Sequence, residues 1–160
     1  MPIVLCGLPG SGKSYFARRF SNCKKCLYLD LDILIKEQFN MSPRQIYKKY
    51  GEETLRIYEG KILNLINAQD AVLALGGGTL TNEHSALEAK KLGPLIYLKI
   101  DNQVIFQRLL NRKPKPLYLN DIGNLITKRI PLYEKYADYT LQVDQLSTKE
   151  VLEAMEKIYG

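Results

Sequence analysis

Eight consecutive residues carry the chemistry most plainly: Gly7-Leu8-Pro9-Gly10-Ser11-Gly12-Lys13-Ser14. They match the pattern G-x-x-x-x-G-K-[ST], in which glycines let the backbone curl so that successive N–H groups point into one concavity. A helix starting at the end of such a loop adds its partial positive charge to that concavity. Polyphosphate is the ligand this suits: Gly10, Ser11, Gly12, Lys13, Ser14 and Tyr15 are the candidate nucleotide contacts. Lys13 is set to reach the β- and γ-phosphates, and Ser14 to hold Mg²⁺. A nucleoside triphosphate and Mg²⁺ are the implied ligand and metal.

Further candidates lie downstream. Asp30-Leu31-Asp32 ends an apolar run, and acids at the carboxyl end of a strand are well placed for ligand work in an open parallel sheet. If the backbone is extended there, Asp30 and Asp32 share one side and Leu31 points away. The plainer reading of Asp32 alone is a helix N-cap. Arg56 and Glu59 lie one helical turn apart and read equally well as an exposed i,i+3 pair. Gly76-Gly77-Gly78 follows a wholly apolar run, where three glycines make sense if something must approach the backbone closely. Arg112-Lys113-Pro114-Lys115-Pro116 gathers cations that repel one another unless an anion joins them, and beside a nucleotide site it reads as a cationic lid.

These residues need elements to position them. Pro2-Ile3-Val4-Leu5-Cys6 reads as a buried strand before the loop, and Tyr15 to Phe20 as the helix after it. Strands are expected near residues 2–6, 27–30, 71–75, 95–100 and 139–143. Helices are expected from 33 to 39, from Pro43 behind a Ser42 cap, from 52 to 66, from 81 to 91, and behind an Asp101 cap to about 112. The last two run from 121 to 137, with a step at Pro131, and from 148 to 159. Strands alternating with helices describe a three-layer α/β/α fold on a five-stranded parallel sheet with right-handed crossovers. Residues 1–160 form one domain in this reading, with a substrate-binding flap at about 31–60 and a mobile lid at about 112–123.

Composition bounds the rest. The chain has 160 residues, 46% hydrophobic and 25% charged, so it holds one real core and not two. No apolar run is long enough to span a bilayer, and the first strand begins at once, so a cytoplasmic protein without signal peptide or membrane attachment is expected. The net charge of +6 is spread along the chain. It suits a site gathering phosphates and a carboxylate better than nucleic acid, for which there is no aromatic-interleaved basic stripe. Cys23 and Cys26 have the spacing of a zinc half-site, but no second pair exists and His84 is the single histidine.

Taken together and in order, these motifs resemble shikimate kinase over essentially the whole chain. They are Gly7 to Ser14, Asp30-Leu31-Asp32, Gly51-Glu52-Glu53-Thr54-Leu55-Arg56 with Glu59, Gly76-Gly77-Gly78, Lys115-Pro116-Leu117, and Arg129-Ile130-Pro131-Leu132-Tyr133 with Ala137. The resemblance implies a nucleoside-monophosphate-kinase-like P-loop fold and transfer of the γ-phosphoryl group of ATP to the 3-hydroxyl of shikimate. It implies that Arg56 and Arg129 hold the substrate carboxylate, that Asp32 holds ring hydroxyls, and that Gly76, Gly77 and Gly78 shape the pocket. Asp30 would join Ser14 in the Mg²⁺ shell, Arg108 would pack near adenine, and Lys115 would be the lid cation. Lys13, Asp32 and Lys115 are the expected catalytic set, and a monomer the expected state. Three positions depart from the family pattern: Lys115 replaces the lid arginine, Leu55 an aromatic and Tyr118 a leucine. Lysine cannot make the bidentate phosphate contact, and Arg112 stands near enough to substitute. Rival readings are another small-metabolite P-loop kinase, a binding protein without turnover, and a nucleic-acid kinase. The first would not require both Arg56 and Arg129 in these motifs, intact Lys13, Asp32, Arg56 and Arg129 speak against the second, and only the positive charge favours the third.

Overall fold

The computed structural model describes residues 1–112 and 122–160. Lys115 and the greater part of the expected lid lie outside the described residues, as does Tyr118.

Five strands form one parallel sheet in the order β2-β3-β1-β4-β5. They are β1 (Ile3–Cys6), β2 (Leu27–Asp30), β3 (Ala71–Ala74), β4 (Leu95–Lys99) and β5 (Tyr139–Gln142). Each falls where apolar runs predict it, shortened by at most a residue at either end. Every residue of β1 and β3 is buried, as continuous apolar runs covered on both faces require. At the edges, Leu27 on β2 and Tyr139 on β5 are exposed.

Eight α-helices are present among the described residues: α1 (Lys13–Lys24), α2 (Leu31–Phe39), α3 (Pro43–Tyr50), α4 (Glu52–Leu65), α5 (Glu83–Leu92), α6 (Asn102–Leu110), α7 (Ile122–Tyr136) and α8 (Thr148–Tyr159). The doubly wound α/β architecture is therefore as expected. α1 packs against α8 and the sheet, α4 against α5, and α2 and α3 against α4. Ser42 closes a capping box with Gln45, with Pro43 at the first helical position, and Asp101 caps α6. Pro131 does not interrupt α7, which runs through it to Tyr136.

Two local expectations are corrected. The chain does not stay extended through Asp32: it turns helical at Leu31, which is fully buried. The N-cap is Asp30, not Asp32. Its Oδ1 accepts from the backbone N–H of Asp32 at 3.0 Å and of Ile33 at 3.4 Å, satisfying donors that α2 would otherwise leave open. Likewise α5 starts at Glu83 behind an Asn82 cap, after a short 3₁₀ turn at Thr79–Thr81.

All three cysteines are free. Among the described residues no group of three or more His, Cys, Asp or Glu side chains could hold a metal, which leaves Cys23 and Cys26 without partners for a zinc site. No helix there is long and apolar enough to cross a membrane.

Candidate active site

The phosphate loop joins β1 to α1 as its sequence dictates. Gly10 and Gly12 have φ of +85° and +97°, in the left-handed region that favours glycine, and Gly12 is the N-cap of α1. Lys13 is buried, and its Nζ donates to the carbonyl oxygens of Gly7 (2.7 Å) and Leu8 (3.1 Å). Burial lowers its pKa to about 8, while the Asp32 carboxylate pulls the other way. An ammonium held against its own loop by two carbonyls is ready to exchange them for phosphate oxygens. Ser11 is buried beneath the loop and away from the cleft, so any nucleotide contact it makes is through its backbone N–H. Tyr15 stands at the cleft rim with Arg19 over its ring. Arg108, from α6, donates to the carbonyl of Gly10 at 2.8 Å and so braces the loop from outside.

Next to the loop, Ser14 Oγ donates to Asp30 Oδ2 at 2.7 Å, and the Tyr28 hydroxyl donates to the same oxygen at 3.0 Å. A hydroxyl and a carboxylate side by side fit Mg²⁺, a hard cation that keeps several waters and takes phosphate oxygens as its other ligands. Asp32 is exposed and opens onto the cleft from the first turn of α2. Loss of solvent within the cleft raises its pKa to about 6, helped by Asp30 and Glu59 and opposed by Lys13 and Arg112.

The cleft has a volume of about 720 Å³ and runs from the phosphate loop to the wall made by α3 and α4. Lys13, Ser14, Asp30, Asp32, Arg56, Arg129 and all of Gly76 to Gly78 line it. Arg112 lines it too, whereas Arg108 and Ser11 do not.

The reading of Arg56 and Glu59 as an exposed pair is wrong. Both are buried, with Arg56 7% and Glu59 1% exposed. Arg56 Nη1 donates to Glu59 Oε1 at 2.7 Å, and Nη2 to Glu52 Oε1 at 3.3 Å. Burial works against the guanidinium's charge, but Glu59 and Glu52 together more than offset it and the Arg56 pKa is raised. Glu59 places its other oxygen, Oε2, where the Thr79 hydroxyl donates to it at 2.8 Å.

What the glycines at 76–78 make room for is partly the protein itself. A Cβ on Gly78 would stand 2.6 Å from Arg56 Cζ and 2.9 Å from Arg129 Nη2, closer than real Cβ contacts occur. One on Gly77 would meet Pro9 of the phosphate loop at 2.7 Å and Arg129 Nη1 at 3.1 Å. Two guanidiniums, one from α4 and one from α7, thus converge over one glycine Cα and face the cleft. Arg56 already pairs with Glu59 and Glu52, and planar forks of this kind can also take a ligand carboxylate bidentately. The Tyr133 hydroxyl donates to the carbonyl of Gly77, tying α7 to the same turn.

A phosphate loop with its lysine, an acid pair and a double arginine site therefore share one cleft. The shikimate kinase family model matches residues 9–159. A shikimate kinase of Chlamydia pneumoniae is 34% identical over 96% of this chain and 93% of its own length. The chain belongs to the shikimate kinase family. Family members use ATP to phosphorylate a shikimate hydroxyl, and the chain is accordingly an ATP-dependent small-molecule kinase. A shikimate kinase of Caldanaerobacter subterraneus is 30% identical, covering 98% of this chain and 95% of its own length. Among solved structures, a shikimate kinase from Acinetobacter baumannii in complex with shikimate aligns with a TM-score of 0.86 and 28% identity, over 98% of this chain and 90% of that one.

Sequence reading missed four cleft or support residues. Glu59 and Tyr133 stood in recognised motifs but had no assigned part. Thr79 and Arg44 had no signal beyond position: Thr79 directly follows the glycines, and Arg44 sits in the first turn of α3 at the cleft wall.

Proposed function

We propose that this chain transfers the γ-phosphoryl group of ATP to the 3-hydroxyl of shikimate, giving shikimate 3-phosphate and ADP. The observation that carries the reading is the meeting of Arg56 and Arg129 over Gly78, in the same cleft as Lys13 and Asp32. Arg56 and Arg129 grip the substrate carboxylate, which orients the ring. Asp32 accepts a hydrogen bond from the attacking hydroxyl and aims its oxygen at the γ-phosphorus. That oxygen forms the new P–O bond, the bond from phosphorus to the β–γ bridging oxygen breaks, and the electron pair leaves with ADP. The hydroxyl proton passes toward Asp32 and solvent.

Lys13 gives up its loop carbonyls for phosphate oxygens and balances the charge that develops on them. Backbone N–H groups from Gly10 to Ser14 hold the phosphates, with Tyr15 at the rim and Arg108 on the adenine side. Ser14 and Asp30 would hold Mg²⁺, which draws charge from the β- and γ-phosphate oxygens when bound. Lys115 is the lid cation in this proposal, with residues 31–60 as the substrate-binding flap and about 112–123 as the lid. The enzyme works as a cytoplasmic monomer on small molecules, with no nucleic acid or membrane partner.

The test is ADP release with Mg²⁺, ATP and a panel of small hydroxy acids, comparing wild type with Arg56→Ala and Arg129→Ala. Shikimate alone should stimulate turnover, and each arginine variant should lose that stimulation while still binding ATP. Stimulation by a different acid, or arginine variants that turn over shikimate normally, would refute it.

A further inference from the structure

The glycine turn does more than leave room: its own backbone is fastened to both arginine-bearing helices, each time by one hydroxyl. On the α4 side, Thr79 is fully buried, and its backbone N–H donates to the carbonyl of Gly76 at 3.3 Å. Its Oγ1 donates to Glu59 Oε2 at 2.8 Å, and Glu59 Oε1 in turn takes Arg56 Nη1 at 2.7 Å. A Cβ on Gly76 would meet Glu59 Oε2 at 2.9 Å and Thr79 Oγ1 at 3.1 Å, so this hydroxyl–carboxylate contact is packed directly on the turn. On the α7 side, Tyr133 lies one helical turn beyond Arg129, and the two residues therefore share a face of α7. Its buried ring packs on Tyr97 of β4, with centroids 5.1 Å apart, and its hydroxyl donates to the carbonyl of Gly77.

We propose that Thr79 and Tyr133 are positioning residues for substrate recognition: through the glycine turn they set the separation and aim of the Arg56 and Arg129 guanidiniums, and hence affinity for the substrate carboxylate. The physical reason is that neither arginine can choose its own place. Arg56 follows Glu59, whose orientation is fixed by satisfying both oxygens, one by Arg56 and one by Thr79. Arg129 rides on α7, whose height above the turn is fixed by Tyr133. Without the Thr79 hydroxyl, Glu59 Oε2 loses its donor in a buried site, and the carboxylate must rotate to find another, taking Arg56 with it. Thr79 does not itself line the cleft, and its hydrogen bonds go to Glu59 and Gly76 on the arginine side, so the effect should reach shikimate and not ATP.

This inference rests on the reading of Arg56 and Arg129 as the carboxylate clamp, and the experiment separates the two. Thr79→Val keeps the shape and removes the hydroxyl; Thr79→Ser keeps the hydroxyl; Tyr133→Phe removes only the other hydroxyl. Steady-state kinetics in shikimate and in ATP are measured for all three beside Arg56→Lys, with melting curves. A lost hydrogen bond to a charged group predicts a shikimate KM raised about tenfold in Thr79→Val and severalfold in Tyr133→Phe. The KM for ATP should be unchanged, and Thr79→Ser should be near wild type. A residue that served stability alone would lower the melting temperature without splitting the two KM values, and Thr79→Ser would not restore one of them. Normal shikimate KM in a folded Thr79→Val, with Arg56→Lys impaired, overturns the positioning role alone. Normal shikimate KM in Arg56→Lys as well overturns the clamp together with it. Should Thr79→Val fail to fold, Tyr133→Phe decides: an unchanged shikimate KM there overturns the proposal.

Discussion

Replacing Gly78 by alanine isolates the arginine convergence from everything else in the site. The backbone at Gly78 has φ −107° and ψ 4°, which alanine adopts without strain, so the substitution acts through its methyl group alone. That methyl would sit 2.6 Å from Arg56 Cζ and 2.9 Å from Arg129 Nη2, where carbon atoms ordinarily rest at about 3.5–4.0 Å. It would overlap Arg56 Nη2 outright, so the guanidiniums must retreat by more than about 1 Å. Side-chain ends yield more readily than backbone, and alanine also restricts the unfolded chain by about 0.4–1 kcal/mol, which offsets part of an overpacking cost of about 1–3 kcal/mol. The melting temperature should fall by a few degrees at most. Catalysis has no such offset, because a misplacement of about 1 Å costs on the order of 10²-fold. The expected result is kcat/KM for shikimate reduced about 100-fold, corresponding to about 2.7 kcal/mol of transition-state stabilisation, with ATP affinity unchanged. Steady-state kinetics, nucleotide titration and a melting curve check it together. A Gly78→Ala protein with kcat/KM near wild type would refute the claim that both guanidiniums are held over this Cα.

Three other outcomes follow from the cleft. Asp32 has a pKa raised to about 6 in the company of Asp30, Glu59, Lys13 and Arg112, so kcat/KM for shikimate should fall as pH drops through about 6. Asp30→Asn keeps an N-cap side chain but replaces the oxygen that accepts from Ser14 and Tyr28, so melting should fall modestly while the Mg²⁺ needed for half-maximal nucleotide binding rises about tenfold. A Mg²⁺ titration of nucleotide binding reads this directly. Arg112 lines the cleft, and its charge reaches both Lys13 and Asp32. Arg112→Ala should lower kcat about tenfold while leaving the shikimate KM within a factor of about two, as kinetics at saturating ATP will show.

How much of this could be read from the residues depended on the range of the interaction. The phosphate loop was legible because its chemistry is contiguous: eight residues in order make the turn, the concavity and the lysine, and nothing distant is needed. The strands were legible because Ile3 to Cys6 and Ala71 to Ala74 are apolar at every position, and only burial on both faces allows that. Asp30-Leu31-Asp32 was harder, since alternation assigns faces only while the chain stays extended. At Leu31 the Asp30 side chain captures two backbone donors and the helix wins. Both acids still reach the cleft, but through a cap and a first turn instead of a shared strand face.

Arg56 and Glu59 show where periodicity ends. Their one-turn spacing on α4 is the same whether the pair lies in water or under a second layer. What decides is that the turn at 76–78 and Thr79 fold over that face, twenty residues later in the case of Thr79. In water such a pair contributes up to about 1 kcal/mol; buried, loss of either partner costs about 3–5 kcal/mol. The burial thus turns what could be a surface pair into a fixed mount for one of the two guanidiniums that face the cleft. The glycines were correctly marked as a place of close approach, and the groups that approach them are the protein's own guanidiniums. On the proposed reading, recognition in this cleft depends on the mounting of the two arginines, which is why substitutions at Gly78, Thr79 and Tyr133 should separate shikimate binding from nucleotide binding when substitutions in the phosphate loop cannot.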